Sequence, residues 1–528
     1  MPARIRALTC CLAFVAPLLG ACGEDPGGSG TASASSTTSL ESTGTTAAPT
    51  TTDGSSGSLP TTGDASSTTS SASTGVEGST TSTLTSGTDG SSTTTGPGCT
   101  PGELGCACID GACAGGLACI DDVCVEPPSV CGDGQLDPPE MCELGEDKCN
   151  PDCTYEPGLV FWTDTYSNKG MDNATVGAWA RTAAFDADDV PYVGDGRFGS
   201  YGLGAGGWVL RYQHDTGALD WQVRFTEGPW QLVTISGLSI QPTGAPVFGG
   251  QVNTGPATGN DAIFGQVTAA GVFGWGRQLE VEHTDWLTDT ATLVDGSVVG
   301  VGGHSQHPDL SDRGWITSVS PTGLPQWEHD LDDGTPSQDV LAQVEAIDGD
   351  VVVFGCCDGD DSQHFLRRYD ADGVEGWTTP IAGLDLLAFE TSGLDVDADG
   401  NIYATWVTEA DALWIAKFNA DGELLWTATP ADPELVGVYP RGIGVTPQGK
   451  LVVAGSRVVN ATEDAFYGVF DEKGAYQWSD TVAGSFGGSD RFEDVAIDSR
   501  GLALVVGFRV QTGGPMGTYE AVVRLFAP

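Results

Sequence analysis

A strand, an Asp-Gly turn and a second strand ending in tryptophan recur along this chain, and that recurrence governs what it can fold into. The clearest copy is DALWIAKFNADGELLW, Asp411–Trp426. GWVLRYQHDTGALDW ends at Trp221, DAIFGQVTAAGVFGW at Trp275 and GWITSVSPTGLPQW at Trp327. HFLRRYDADGVEGW ends at Trp377 and AFYGVFDEKGAYQW at Trp478, and GLVFW brings Trp162 to the same slot. The tryptophans are 59, 54, 52, 50, 49 and 52 residues apart, and 50 residues follow the last. A fixed period of this length marks a repeat architecture.

Between residues 158 and 528 the apolar runs are short, rich in Val, Ile, Phe, Tyr and Trp, and bounded by turn residues, which reads as strands. No segment holds a helical period. The fifth unit predicts four strands: SGLDV, IYATWV, LWIAKF and LLWTAT, here called A to D. The last unit ends at YEAVVRLF without its strand D, while Gly158–Trp162 is a strand D with no A, B or C before it. The N-terminal strand is therefore expected to complete the C-terminal sheet, closing a ring and leaving no open edge. The fold class is all-β, a seven-bladed β-propeller. LDVDADGNIYATW followed by DALWIAKFNADGELLW resembles the SBBP-like repeats of bacterial seven-bladed propellers. That resemblance implies the fold and leaves the function open.

The chain begins with an export signal: Arg4 and Arg6, then an apolar run from Ala7 to Gly20 too short to span a bilayer. Leu19-Gly20-Ala21-Cys22 resembles the bacterial lipobox, which implies that residues 1–21 are removed and Cys22 is lipidated. Gly23 after Cys22 points to the outer membrane, and acyl chains on Cys22 would anchor the protein without a transmembrane helix. Residues 22–98 form a Ser/Thr/Gly linker without a single Lys or Arg, too polar to order itself. As a coil it reaches roughly 50 Å.

Ten cysteines then crowd into residues 99–153, the density of a disulfide scaffold. Cys99, Cys106, Cys108, Cys113, Cys119 and Cys124 form a six-Cys module over 99–126. Cys131, Cys142, Cys149 and Cys153 form a four-Cys repeat over 127–157. Both counts are even, and the sequence does not choose among the connectivities. An oxidising compartment argues against zinc. CGDGQLDPPEMCELGEDKCNPDC resembles the Cys-rich repeat of myxobacterial surface proteins, and GCACIDGACAGGLACIDDVCV a companion module. Together with the lipobox, the resemblance is to a myxobacterial-type surface lipoprotein with an extracellular stalk.

In a ring of this kind the A–B and C–D turns share one face, and the longer B–C and D–A loops share the other. Function is expected on the second face. The third unit's B–C loop carries His304, His307 and Asp309; the fourth carries Asp358, Asp360, Asp361 and His364; and His283 precedes the third unit. His and carboxylate at this spacing suit calcium or another divalent cation, against the plainer reading of solvated acidic loops, and no cofactor is required. Cys356-Cys357 is either an adjacent disulfide or a pair of thiols. His214–Trp221 resembles the Thr-Gly…Trp motif of quinoprotein dehydrogenases, but only one unit has it and those propellers have one blade more. Asp395–Gly400 resembles the start of an EF-hand loop, yet its flanks are strands, so a hairpin turn is expected. The tryptophans are expected to pack between blades.

The chain carries 72 Asp and Glu against 21 Lys and Arg, a net charge of −51, which argues against nucleic acid and anionic membrane surfaces as partners. The expectation is a monomeric, lipid-anchored, cell-surface protein whose ring binds protein or glycan without catalysis. The alternatives are an exported propeller enzyme, quinoprotein-like or a metal-assisted lyase or hydrolase, and a purely structural surface component.

Overall fold

A blade in a closed ring covers both faces of its sheet with its neighbours, so its inner strands must be apolar on both sides. Ile402–Val407 meets that demand: every residue is buried. The outer strand Leu424–Ala428 has no buried residue. The computed structural model describes Ala118–Ile120, Val123–Val125, Cys131 and residues 140–528, apart from 144–145, 147, 167, 170–174, 177, 196–205, 226–232, 256–258, 280–283, 307–310, 332–339, 357–362, 385–391, 409, 460–461, 485–487 and 512–518.

The ring holds seven four-stranded antiparallel sheets, forming a seven-bladed β-propeller. Blades 1 to 6 span residues 180–224, 233–279, 284–331, 340–381, 393–428 and 438–482, each with its strands in chain order. Blade 7 takes Arg491–Ile497, Ala503–Val510 and Tyr519–Phe526 from the end of the chain. Its outer strand is Val160–Tyr166, with Trp162 opposite Leu525 and Tyr166 opposite Ala521. The described residues include one short 3₁₀ turn, Pro433–Leu435, and no helix among them is long and apolar enough to cross a membrane.

The recurrent tryptophan lies against the C–D turn glycine of the next blade. Trp162, Trp221, Trp275, Trp327 and Trp377 donate Nε1 to the carbonyls of His214, Ala269, Pro321, Ala371 and Ala420, at 2.6 to 3.2 Å. Trp478 completes the circle over Gly158. Each turn glycine is needed twice over. Gly373 has φ 81°, and a Cβ there would stand 2.6 Å from Trp327 Cδ2. Gly373→Ala is expected to lower stability by about 2 kcal/mol, from the left-handed backbone and the clash together. In a Trp327→Ala background the same change is expected to cost less than half as much, because the clash is gone. Denaturant unfolding of the four proteins in that cycle measures it, and equal costs in both backgrounds contradict the packing account.

The four-Cys segment pairs Cys131 with Cys153 and Cys142 with Cys149, a nested connectivity. It is too short to build a core of its own. Instead Met141, Cys142 and Tyr155 join one apolar cluster with Trp162, Val523 and Leu525. The Tyr155 and Phe161 rings meet edge to face at 4.8 Å, and Lys148 Nζ lies 5.2 Å from the Phe161 ring. Residues 128–528 accordingly form one compact unit. Of the preceding unit, a hairpin of Ala118–Ile120 and Val123–Val125 is described, with Cys119 opposite Cys124.

Candidate functional site

In six blades strand A slips its pairing with strand B at one residue. The slipped residues are Arg181, Ser236, Thr288, Ala342, Arg441 and Glu493. A bulge leaves its residue out of the ladder and redirects the side chain. Strand A is the innermost strand, so the six bulges form a ring of side chains around the central channel, near the end where the D–A and B–C loops emerge.

At the seam of blades 6, 7 and 1 this ring becomes a charged cluster. Glu493 accepts from Trp179 Nε1 at 2.7 Å, Arg491 Nε at 2.6 Å and Arg441 Nη1 at 3.2 Å. Arg181 adds its field. Burial works against the Glu493 charge, but Arg441, Arg491 and Arg181 outweigh it and hold the carboxyl down at about 2. The Arg181 and Arg491 guanidiniums lie 4.6 and 5.0 Å from the Trp179 ring. Phe508 meets that ring edge-on at 4.5 Å, and Tyr519 stacks at 6.1 Å. Three guanidiniums thus surround the Glu493 carboxylate, and Asp195 accepts from Trp179 N at 2.8 Å beside them.

One step deeper the sign reverses. Asp289, Glu345, Asp395 and Asp494 come from the inner strands of blades 3, 4, 5 and 7. Three of them fasten a blade to the next. Asp289 accepts from Val344 N at 3.0 Å, Asp395 from Val445 N at 2.6 Å and Asp494 from Ala183 N at 2.9 Å. Burial pushes Asp289 up to about 8 and Asp494 to about 6. Burial also raises Asp395, and it raises Glu345 well above the usual range, with the charges of Asp395, Asp289 and Asp494 adding to the effect on Glu345. That mutual influence between blades on opposite sides of the ring places the four around the axis. All four keep part of their surface open, so they line the channel at depth. The site thus combines fixed cations at the mouth with carboxyl groups below whose hold on a proton is strengthened by burial.

The histidines singled out by the sequence lie elsewhere. His304 lies two residues before the end of strand B of blade 3 and His364 opens strand C of blade 4, and both are fully buried. The His304 ring centroid is 6.1 Å from that of Trp315, and His364 meets Trp406 edge-on at 4.3 Å. His304 Nε2 lies 3.9 Å from Asp330. His307, Asp309, Asp358, Asp360 and Asp361 lie outside the described residues, as do His283, Cys22, Cys99, Cys106, Cys108, Cys113, the export signal and the linker. Cys356 is disulfide-bonded; Cys357 is likewise outside the described residues. Among the described residues, the three-residue group with ligating atoms within 4.8 Å of one another is Glu140, Glu143 and Cys153, and the Cys153 sulfur is already bonded to Cys131. Asp395–Gly400 is a hairpin turn: Asp397 accepts from Asp399 N and Asn401 N, and Gly400 has φ 76°.

The sequence did hold a signal for the bulge ring. Ser236, Ala342, Arg441 and Glu493 each lie 15 residues after the tryptophan of the preceding blade. Only the register shift shows that this shared position is the one that leaves the ladder.

No known family's sequence pattern matches the chain, and no curated protein matches it. Solved structures share its fold. The propeller of Dos1 is 9% identical, covering 69% of this chain and 95% of its own, with a TM-score of 0.41. A protein of unknown function from Dyadobacter fermentans is 11% identical, with coverages of 70% and 99% and a TM-score of 0.42. The polysaccharide lyase Uly1 is 12% identical, with coverages of 70% and 99% and a TM-score of 0.41. At these identities the likeness is one of fold alone.

Proposed function

We propose that this chain is an exported lipoprotein, anchored to the outer membrane through Cys22, that displays its ring at the cell surface for non-enzymatic binding of a protein or glycan. The lipobox-like Leu19–Cys22 and the polar linker support the anchoring. The observation that carries the binding role is the cluster of Arg181, Arg441 and Arg491 on Glu493 at the channel mouth. An acidic surface keeps most anions away, so a recessed patch of guanidiniums is a selective place for a ligand to enter. A catalytic reading draws on the carboxyls below the mouth, which burial raises to about 8 at Asp289 and about 6 at Asp494, the range of general acids and bases.

The test is to present the full chain to an array of saccharides and to envelope proteins, alongside Arg441→Gln. Retention of a ligand by the native chain, lost in the variant while the far-ultraviolet spectrum is kept, is the expected result. Turnover of a retained saccharide would move the chain to the enzyme class. No retained ligand of either kind sinks the binding reading.

A further inference from the structure

We propose that the four-Cys segment holds a calcium ion between the carboxylates of Glu140 and Glu143, a site outside the channel and independent of what the ring binds. Glu140 is the residue that points to a ligand. It is 6% exposed, and both of its carboxylate oxygens are closed to solvent with no hydrogen-bond partner among the described residues. Its chain neighbours Met141 and Cys142 belong to the apolar cluster of Trp162 and Leu525. A carboxylate in such surroundings is strongly unfavourable unless a counter-charge meets it. Glu143 brings a second carboxylate oxygen to within 4.8 Å of that of Glu140 and of the Cys153 sulfur. Two oxygens that share a calcium at about 2.4 Å each lie no more than about 4.8 Å apart, so the spacing admits the ion. Glu143 makes a further contact of its own, and the roughly four lone-pair sites of a carboxylate leave room for an ion beside it.

The backbone around the pair is fixed. Cys142 is bonded to Cys149 and Cys153 to Cys131. Met141 N donates to the Cys153 carbonyl at 2.9 Å, and Glu146 N to the Glu143 carbonyl at 3.0 Å. The donor set then chooses the metal. The Cys153 sulfur is spent in its disulfide, so no thiolate is offered to zinc or a softer metal. Carboxylate oxygen remains, which suits a hard cation. Calcium accepts two bidentate carboxylates and completes its shell with water from the side of half-buried Glu143, whereas magnesium demands a near-ideal octahedron. Bound there, the ion ties residues 140–143 to the cluster that seats Trp162, the tryptophan of the closing strand.

The probe is calcium alone, on the full chain with its disulfides intact, in about 0.15 M salt to screen loose counterions on the acidic surface. Equilibrium dialysis is expected to give about one calcium more for the native chain than for Glu140→Gln, with a Kd of about 0.1 to 1 mM, the range of extracellular modules. Glu423→Gln, on an exposed turn, is expected to match the native chain. In chelator, Glu140→Gln is expected to unfold at the native temperature or above it, because it removes a buried charge that has no partner. Calcium at about 10 mM is expected to raise the native midpoint by about 2 °C more than that of the variant. Equal calcium content in the two chains overturns the site. So does a Glu140→Gln chain that in chelator is less stable than the native one or fails to fold, since either result means that the carboxylate already has its partner within the protein.

Discussion

A chain that begins at residue 168 is expected to be lost to aggregation, while one that begins at residue 128 unfolds in a single cooperative step. The difference is the strand Val160–Tyr166. It pairs along Tyr519–Phe526, from Val160 opposite Phe526 to Tyr166 opposite Ala521. Without it, strand C of blade 7 becomes an open edge carrying Val523 and Leu525, both fully buried in the ring. Trp162 goes with it, and so does the seam from its Nε1 to the His214 carbonyl in blade 1. Blades 7 and 1 then face each other across an unfilled gap. A chain that begins at residue 158 keeps the strand but loses Met141 and Tyr155, which pack into the same cluster. At the usual value for burying such side chains, that costs about 3 kcal/mol. Size-exclusion chromatography and denaturant unfolding of the three chains read the order. A soluble, cooperative chain starting at residue 168 rules out closure by this strand.

The same contrast explains what could be read before the structure. Strand limits in the fifth unit were legible almost to the residue, because IYATWV and LWIAKF sit between strong turn signals and have both faces covered. The closure was legible too, since an orphan strand at one end matched a missing strand at the other. The packing role of the tryptophans followed from their fixed slot. The charged cluster was not legible. Trp179 and Glu493 are 314 residues apart and meet only because the ring closes. The bulged residues differ in identity from blade to blade, so no residue pattern marks them. Polar loop composition drew attention to His304 and His364 instead, and both belong to strand ends, where neighbouring indoles pack against them and they are fully buried. The nested disulfides were open for a related reason. Four cysteines fix no pairing until the chain between them is folded.

The ring is expected to be most stable near pH 5 and to lose roughly 5 kcal/mol or more between pH 5 and pH 8. Asp289, Glu345, Asp395 and Asp494 all hold their protons more tightly folded than unfolded. Below the ordinary carboxyl values of 3.8 and 4.5 both states are protonated and nothing is lost. As pH rises the unfolded chain ionises first, and stability falls until Asp494 at about 6 and Asp289 at about 8 have also ionised. Glu493 acts in the opposite sense. Its carboxyl is held down at about 2, so its contribution is present above the ordinary 4.5 and is lost as pH falls towards 2. General repulsion in a chain of net charge −51 also grows with pH, but it differs in two ways. It is screened by salt, whereas charges at depth are screened far less. It is also spread over many surface carboxylates, so removing one exposed acid hardly changes it. Glu345→Gln keeps a side-chain oxygen for the Ala346 N–H and removes one charge from the axis. It is expected to take away roughly half of the loss between pH 5 and pH 8, and to do so in about 0.5 M salt as well as in dilute buffer. Glu423→Gln, on an exposed turn, is expected to leave the slope as it was. Thermal unfolding of the three proteins at pH 5, 6.5 and 8 measures this. Identical slopes for the native chain and Glu345→Gln would mean that the axial carboxyls are not the titrating groups, and the pH dependence would belong to the surface.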